Sequence, residues 1–240
     1  ELLIYEQRLM KLYSTSQSSL YSNFIMIVAS LAGAKVEEVI IDAKNPKDVE
    51  LRNKVPSQTL PILETDDNKF LGTTASIVNY IASVHKPELL GANAFDQAKV
   101  DMWMNIIFTE LHPLAHTLGM HVFGQIEVEA NEHAYIYGLM KEQVKMINNQ
   151  LKQKKFFIGD SITTIDIIIT LVLTELMQAI MDTNLRNSLN NMNAHFDLIS
   201  QMDCFKQRMG LIKRGKKQVP LTLMSVVEQE AAKAAAKAAQ

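Results

Sequence analysis

Two short apolar segments followed by a helix pattern constrain the fold of this chain more than any other feature. The first segment begins at Pro61, the second ends at Gly72, and a polar turn at residues 66–68 separates them. Proline has no backbone N–H, so it stands at the start of a strand and not inside one. A helix pattern opens directly after the second segment, at Thr73-Thr74. The stretch therefore predicts strand, turn, strand and helix in that order.

The chain before this motif alternates between strand and helix. A helical spacing of apolar residues stops at Gly33, a residue type that favours helix ends, and another short helix begins with Pro46 in its first turn. The predicted elements are a strand at residues 11–14, a helix at 20–32, a strand at 36–41, a helix at 46–53, the two strands above and a helix at 73–84.

The chain after residue 92 has only helical periodicity. Helices are predicted at residues 94–111, 113–123, 129–154, 163–181 and 191–204. Two parts with different periodicity indicate two domains. We predict a small α/β domain over residues 10–84, a linker over 85–92, an all-helical domain over 93–217 and an Ala/Lys-rich tail over 218–240.

Composition excludes several classes of protein. The chain has 24 basic and 26 acidic residues, so it lacks the basic excess of a nucleic-acid-binding protein, and no specific nucleic acid is predicted. The longest apolar run, at residues 165–181, is interrupted by Asp166 and Glu175 and falls short of the ~20 residues of a membrane span. The single cysteine, Cys204, and a start without signal-peptide layout favour the cytoplasm.

Two polar clusters are interpreted as structural. Thr163 and Asp166 have the spacing of a variant capping box, in which the carboxylate reaches back to the start of the helix. His112 and His116 are four residues apart, but Pro113 disturbs that turn and no cysteine or carboxylate completes a metal-binding set. We expect a helix cap at the first cluster and no metal at the second.

Four of these features together resemble the glutathione transferase fold. They are the strand at residues 11–14 with its Ser-rich loop, the Leu60-Pro61 turn, the helix start at Thr73-Thr74 and the segment 157–166. The resemblance covers residues 11–217 and implies a thioredoxin-like N-terminal domain followed by an all-helical domain. It also implies that Pro61 is cis, a minority state for X-Pro bonds, with the backbone of Leu60 free to pair with a peptide ligand.

The helical half is similar to the gamma-subunit family of translation elongation factor 1. The similar stretches are residues 182–196 and 202–213. This resemblance implies a cytoplasmic interaction or scaffold protein whose partners are other elongation factor 1 subunits, and a homodimer or a larger complex. That family continues into a lysine-rich linker and a further domain, whereas this chain continues into the Ala/Lys tail. A true gamma subunit, a shortened relative and a paralogue used elsewhere all remain open.

The glutathione transferase resemblance also implies positions for a glutathione site. Ser19, with Ser18 as the near alternative, corresponds to the serine that stabilises the glutathione thiolate. The alternative role of these serines is a loop and helix cap. Leu60 and Pro61 would present backbone to the ligand, and Thr73 and Thr74 stand where active relatives have an acidic residue and a serine. Thr74 can still bind the ligand's carboxylate at the helix N-terminus, but Thr73 carries no negative charge for its amino group.

Three functions follow from these expectations. The first is a non-catalytic interaction protein similar to elongation factor 1 gamma, with a weakened, vestigial glutathione site and no cofactor. The second is an active glutathione transferase that conjugates glutathione to electrophiles. The third is a structural subunit of another large assembly. Whether the chain is an enzyme stays open, with the balance toward none.

Overall fold

The computed structural model describes residues 9–16, 19–42 and 44–215. Ser18 and the predicted tail at 218–240 lie outside the described residues. The chain divides into two compact units, which are described separately. Of the described residues, the first unit contains those up to Asp101 together with Phe156–Leu171 and Ile199–Gly210, and the second contains Met102–Lys155, Val172–Leu198 and residues 211–215.

The first unit contains a four-stranded mixed sheet. Its strands are β1 (Met10–Ser14), β2 (Val36–Ile40), β3 (Ile62–Glu64) and β4 (Phe70–Gly72), in the order β2-β1-β3-β4. The central strand β1 runs parallel to β2 and antiparallel to β3, and β3 runs antiparallel to β4. A parallel pair needs a crossover helix, which α1 (Leu20–Ala32) supplies. This helix ends at Gly33, whose φ of 69° is a left-handed conformation that glycine adopts without strain.

The core of this unit lies between the sheet and two helices. α2 is Pro46–Arg52, α3 is Thr74–His85, and a 3-10 turn follows at Pro87–Leu90. α1 packs against α3, and both bury an apolar face at helical spacing. Each fully buried Leu, Ile, Val or Phe side chain contributes roughly 1.5–3 kcal/mol to stability. The fully buried side chains here include Leu12, Phe24, Ile25, Ile27, Ile62, Leu63, Ile77 and Ile81.

The remaining helices follow one another along the chain, with the longest connection at residues 151–163. α4 (Ala94–Ile106) passes through a π-helical turn at Ile107–Leu111 into α5 (His112–Val122), and α6 is Ala130–Gln150. α7 (Thr164–Glu175) ends in a second π-helical turn, Leu176–Ile180. The last three helices are α8 (Thr183–Asn187), α9 (Asn190–Ser200) and α10 (Asp203–Met209). Among the described residues, no helix is long and apolar enough to cross a membrane.

The predicted fold class is confirmed: a thioredoxin-like sheet with helices, followed by helices alone. The predicted helix boundaries were wrong at two places, and the first is near the end of the chain. Residues 191–204 were predicted as a single helix, but α9 ends at Ser200, and Met202, with extended backbone at φ −65° and ψ 143°, caps the separate helix α10. α8 and the 3-10 turn were missed because five and four residues are too few to show a helical period.

Pro113 does not end a helix as predicted. His112, at the junction, has helical φ and ψ of −61° and −43°, so the backbone passes from α4 to α5 without a break. Proline has no N–H to donate, and the changed hydrogen-bond pattern of the π-helical turn directly before it allows the helix to continue. His112 and His116 consequently share one helix face, with their rings stacked 5.7 Å apart.

Candidate ligand site at the edge of the sheet

Three loops leave the sheet of the first unit at the same edge. Ile62, the first residue of β3, pairs with Tyr13 near the end of β1 and with Gly72 at the end of β4. The loop after β1, the turn before β3 and the start of α3 therefore lie side by side. These are the segments that hold the predicted residues Ser19, Leu60-Pro61 and Thr73-Thr74, so strand register alone brings the candidate site together.

The turn before β3 presents free backbone at this edge. The Leu60-Pro61 peptide bond is cis, Pro61 is buried, and Leu60 is half-buried. Among the described residues, Leu60 takes part in no backbone–backbone hydrogen bond. Its N–H and carbonyl are therefore available to an extended ligand.

Thr73 adopts a backbone conformation that is rare for its residue type. Its φ of 62° and ψ of 135° lie in a region that β-branched residues avoid, and it is the residue directly before α3. Its hydroxyl donates to Ser76 Oγ at 2.9 Å. The first turn of α3 contains no acidic residue. This position therefore offers a hydroxyl group and no charge.

Thr74 is the first residue of α3 and lies at the same edge of the sheet. Its side chain is buried, with 9% of its surface exposed. The N–H groups of a first helical turn lack intrahelical partners and carry partial positive charge, which favours an anion. A carboxylate is thus the ligand group that the start of α3 suits best.

Ser19 stands directly before α1 and is half-buried. Its N–H donates to the Ser16 carbonyl at 3.3 Å, and its own carbonyl accepts from Asn23 N–H at 2.9 Å. Its side chain makes no capping hydrogen bond to any residue that the structure describes. Ser19 therefore occupies the N-cap position of α1 through its backbone, and its hydroxyl makes no capping hydrogen bond there.

Tyr13, a second hydroxyl near the loop, is already engaged. It donates to Glu64 Oε2 at 2.6 Å, across 51 residues of sequence. Burial, and then the Glu64 carboxylate, raise the pKa of Tyr13 to about 12. A phenol that donates to a carboxylate is a poor donor to a ligand thiolate, so Ser19 is the better candidate for that task. Sequence reasoning missed this pair because its register depends on the β1–β3 ladder.

Gly72 is a further residue of this edge that sequence reasoning missed. A Cβ atom at Gly72 would lie 2.9 Å from Ser57 Oγ and 3.1 Å from the side chain of Val55. The loop that leads to Leu60-Pro61 therefore rests directly on the end of β4, and any side chain at position 72 would force Ser57 and Val55 to shift. A glycine between a strand and a helix start was the one available signal.

The predicted capping residues are linked by hydrogen bonds elsewhere in the first unit. Asp166 is fully buried, and its Oδ2 accepts from the Thr163 N–H at 2.7 Å and from the Thr163 hydroxyl at 2.9 Å. Its Oδ1 accepts from Phe157 N–H at 2.7 Å. A carboxylate satisfied in this way orders the loop before α7 and is not placed to act as a base.

The histidines of α5 were the candidates for a metal, and His121 lies on the same helix as the predicted pair His112 and His116. His121 Nδ1 contacts the Ile126 carbonyl at 3.3 Å and accepts from Val128 N–H at 3.2 Å as alternatives set by its tautomer. Burial and the neighbouring His116 lower the pKa of His112. Within the described ranges, no group of three His, Cys, Asp or Glu side chains could hold a metal ion.

Comparison with known proteins agrees with this geometry. Residues 13–88 match the family described as glutathione S-transferase, N-terminal domain. The poplar glutathione transferase F1 structure superposes with a TM-score of 0.71 at 17% identity, covering 83% of this chain and 96% of that one. The chain therefore has the fold of the glutathione transferase superfamily, and the predicted resemblance is confirmed.

Among proteins with that fold, the chain is similar to elongation factor 1-gamma. The Artemia salina elongation factor 1-gamma is 26% identical over 180 residues, which are 73% of this chain and 41% of that protein. The glutathione-transferase-like domain of the Saccharomyces cerevisiae elongation factor 1-gamma superposes with a TM-score of 0.76 at 15% identity, covering 88% of this chain and 97% of that domain. The chain thus spans less than half the length of the Artemia relative.

Proposed function

We propose that this chain is a non-catalytic interaction module with the glutathione transferase fold, which helps to organise a translation elongation complex through the guanine-exchange subunits of elongation factor 1. The observation that carries the proposal is the side chain of Thr73. This residue stands at the helix start of the candidate site, with its hydroxyl on Ser76 and no acidic residue in the first turn of α3.

A missing negative charge at this position weakens glutathione binding. The amino group of glutathione is positively charged, and a hydrogen bond to a charged group contributes about 1.5–3 kcal/mol. Its loss lowers affinity by roughly an order of magnitude or more. A protein selected for interaction tolerates this loss, whereas an enzyme that must hold and ionise glutathione does not.

The partner class rests on the resemblance to elongation factor 1-gamma. The similarity extends over the sheet and the helical part of the chain, since 88% of it superposes on the yeast domain. A fold retained without its charged ligand contact supports a role in which surfaces, and not the site, are used. We propose protein partners in the cytoplasm and assembly as a homodimer or as part of a larger complex.

An active glutathione transferase is the second candidate, and specific observations favour it. Within the part of the chain that the structure describes, Leu60 makes no backbone–backbone hydrogen bond and the Ser19 hydroxyl makes no cap, and Thr74 begins α3. These groups can still hold the peptide backbone and a carboxylate and can still hydrogen-bond a thiolate. This candidate predicts measurable glutathione affinity and loss of activity in Ser19→Ala.

Calorimetric titration with reduced glutathione separates the two candidates. The interaction module predicts no binding by the wild-type protein at several millimolar ligand. It also predicts that Thr73→Glu, which restores the charge, increases affinity by about tenfold or more. Micromolar to low-millimolar binding by the wild type that weakens in Thr74→Ala would instead establish the site as functional and justify an assay of Ser19→Ala.

Reconstitution tests the partner class. The purified chain is mixed with purified guanine-exchange subunits of elongation factor 1, and the mass of the complex is measured by size-exclusion chromatography with light scattering. A stoichiometric complex supports the proposal. If the chain neither associates with these subunits nor binds glutathione, the third function, a structural subunit of another assembly, replaces it.

A further inference from the structure

Glu175, in the second unit, lies at an irregular point of its helix. It is the last residue of α7, and the π-helical turn Leu176–Ile180 begins directly after it. π-Helical turns cost stability and are frequently found at functional sites. The Glu175 side chain is half-buried and has no hydrogen-bond or ion-pair partner among the described residues.

The Glu175 carboxyl group rests on the backbone of α5. A Cβ atom at Gly119 would lie 1.6 Å from Glu175 Oε1 and 2.6 Å from its Cδ. The buried helical position 119 therefore accepts the carboxyl group only because it is glycine. This contact joins α5 to the end of α7 without any side chain from α5.

The surroundings of this carboxyl group disfavour its charged form. Desolvation alone raises the pKa of Glu175 to about 7. The ionisable groups on α5 are three histidines: His112 and His116 stack on each other, and the His121 ring contacts residues 126 and 128. None of them forms an ion pair with Glu175 among the described residues.

The cations on the other side of the π-helical turn are also engaged elsewhere. Arg186 donates to the backbone carbonyl of Met181 and to Thr183 Oγ1, and Arg214 pairs with Asp197. The Met177 carbonyl accepts from Gly215 N–H at 3.0 Å, which fixes this side of the turn. On the side of the turn that contacts α5, the group whose charge can change is therefore the Glu175 carboxyl group.

We propose that Glu175 is a proton-controlled latch between α7 and α5: it is closed on Gly119 while the carboxyl group carries its proton and loosened when the proton is lost. A neutral carboxyl group costs much less to bury against a helix backbone than a carboxylate, which must recover water or a cation. Loss of the proton therefore favours separation of the π-helical turn from α5. This device is independent of glutathione and of elongation factor subunits.

The sign of the pH dependence follows from the direction of the shift. In the unfolded chain Glu175 has its ordinary pKa of 4.5, whereas in the folded protein its pKa is about 7. Its contribution to stability is complete below the lower value and is lost as pH rises through the higher one. The lowered pKa values of His112 and His133 act in the opposite direction, so the effect of Glu175 must be measured as a difference between variants.

Thermal unfolding of the wild-type chain and of Glu175→Gln from about pH 5 to pH 8 provides the first test. Glutamine keeps the shape of the neutral carboxyl group and cannot ionise. We expect the difference in Tm, variant minus wild type, to rise by roughly 2–8 °C across this range. The exposed Glu132 of α6 supplies the matched control, because Glu132→Gln should leave the pH dependence of the wild type unchanged. A constant difference between Glu175→Gln and wild type would overturn the latch.

Titration of the glutamate carboxyl carbons by NMR tests the wild-type chain directly and does not depend on the folding of a variant. A carboxyl resonance that is absent from the spectrum of Glu175→Gln should titrate near pH 7, together with an increase in hydrogen exchange in α5 and residues 176–181. Titration of this resonance near pH 4.5, or exchange in α5 that does not change with pH, would contradict the proposal.

Discussion

At the scale of single residues, this structure depends on positions where a side chain is small, uncharged or strained. Thr73 holds a backbone with positive φ and brings no charge to the start of α3, and the missing side chain of Gly119 leaves the space that the Glu175 carboxyl group occupies. Gly72 lets the loop that carries Leu60-Pro61 lie on the end of β4. What matters at these positions is a missing charge at Thr73 and a missing Cβ atom at Gly72 and Gly119, so their importance shows only in their surroundings.

Gly72→Ala should destabilise the first unit. The added Cβ would meet Ser57 Oγ at 2.9 Å and Val55 at 3.1 Å, so the loop must move, at a cost of about 1–3 kcal/mol. Urea unfolding gives the free energy difference. Gly138→Ala in α6 is the matched control, because a Cβ there meets nothing within 4 Å and should stabilise the helix by about 0.5–1 kcal/mol. Equal effects of the two substitutions would contradict close packing at Gly72.

At the scale of elements, buried polar groups hold the connections between helices. Asp166 orders the loop before α7, and His121 joins the end of α5 to the loop before α6. The His121 ring lies 5.3 Å from that of His133, which is buried on α6 and stacks on Tyr137. The two helices are thus joined by a direct contact between imidazole rings.

The His121–His133 pair should make the second unit sensitive to acid. Burial, and then His121, lower the pKa of His133 below its ordinary value of 6.5. The unfolded chain therefore takes up a proton first, and stability falls as pH decreases below about 6.5. We expect His133→Phe to lose this acid dependence in thermal unfolding between pH 5 and pH 7. The same loss in His116→Phe, an exposed histidine of α5, would show that the effect is not specific to the pair.

At the scale of the whole molecule, an ion pair connects α10, near the end of the described chain, to the sheet near its beginning. Arg208 of α10 binds Glu38 of β2 with both terminal nitrogens, at 2.7 and 3.1 Å, and its Nε donates to Asn23 of α1 at 2.6 Å. Ser14 of β1 donates to the same carboxylate at 3.1 Å. A single cation thus closes the first unit across 170 residues of sequence.

Removing one partner of this ion pair should cost more than removing both. Only 5% of the Glu38 side chain and 19% of the Arg208 side chain are exposed. Arg208→Met leaves a buried carboxylate unpaired, for which we expect a loss of about 3–5 kcal/mol. Adding Glu38→Leu should recover part of this loss, and urea unfolding of the two single variants and the double variant measures the coupling. Additive losses would show that the two charges act independently.

The sequence alone was enough to predict the class of fold, because the class depends on patterns of neighbouring residues. These patterns are the strand periods, the Pro61 turn, the helix starts and the helix end at Gly33. The order of strands and helices, and the residues of the candidate site, followed from the same patterns and their resemblance to a family. The end of α9 at Ser200 and the start of α10 at Asp203 were not predicted, because short helices are determined by packing and show too little hydrophobic periodicity.

Only the tertiary structure decided how distant residues are paired. Tyr13 with Glu64, Arg208 with Glu38, and Glu175 with Gly119 are separated along the chain, and no periodic pattern relates their positions. The burial that changes the ionisation of Tyr13, His133 and Glu175 likewise arises only when helices and strands meet. Patterns of neighbouring residues determine the elements, whereas the chemistry of the side chains depends on what folding places beside them.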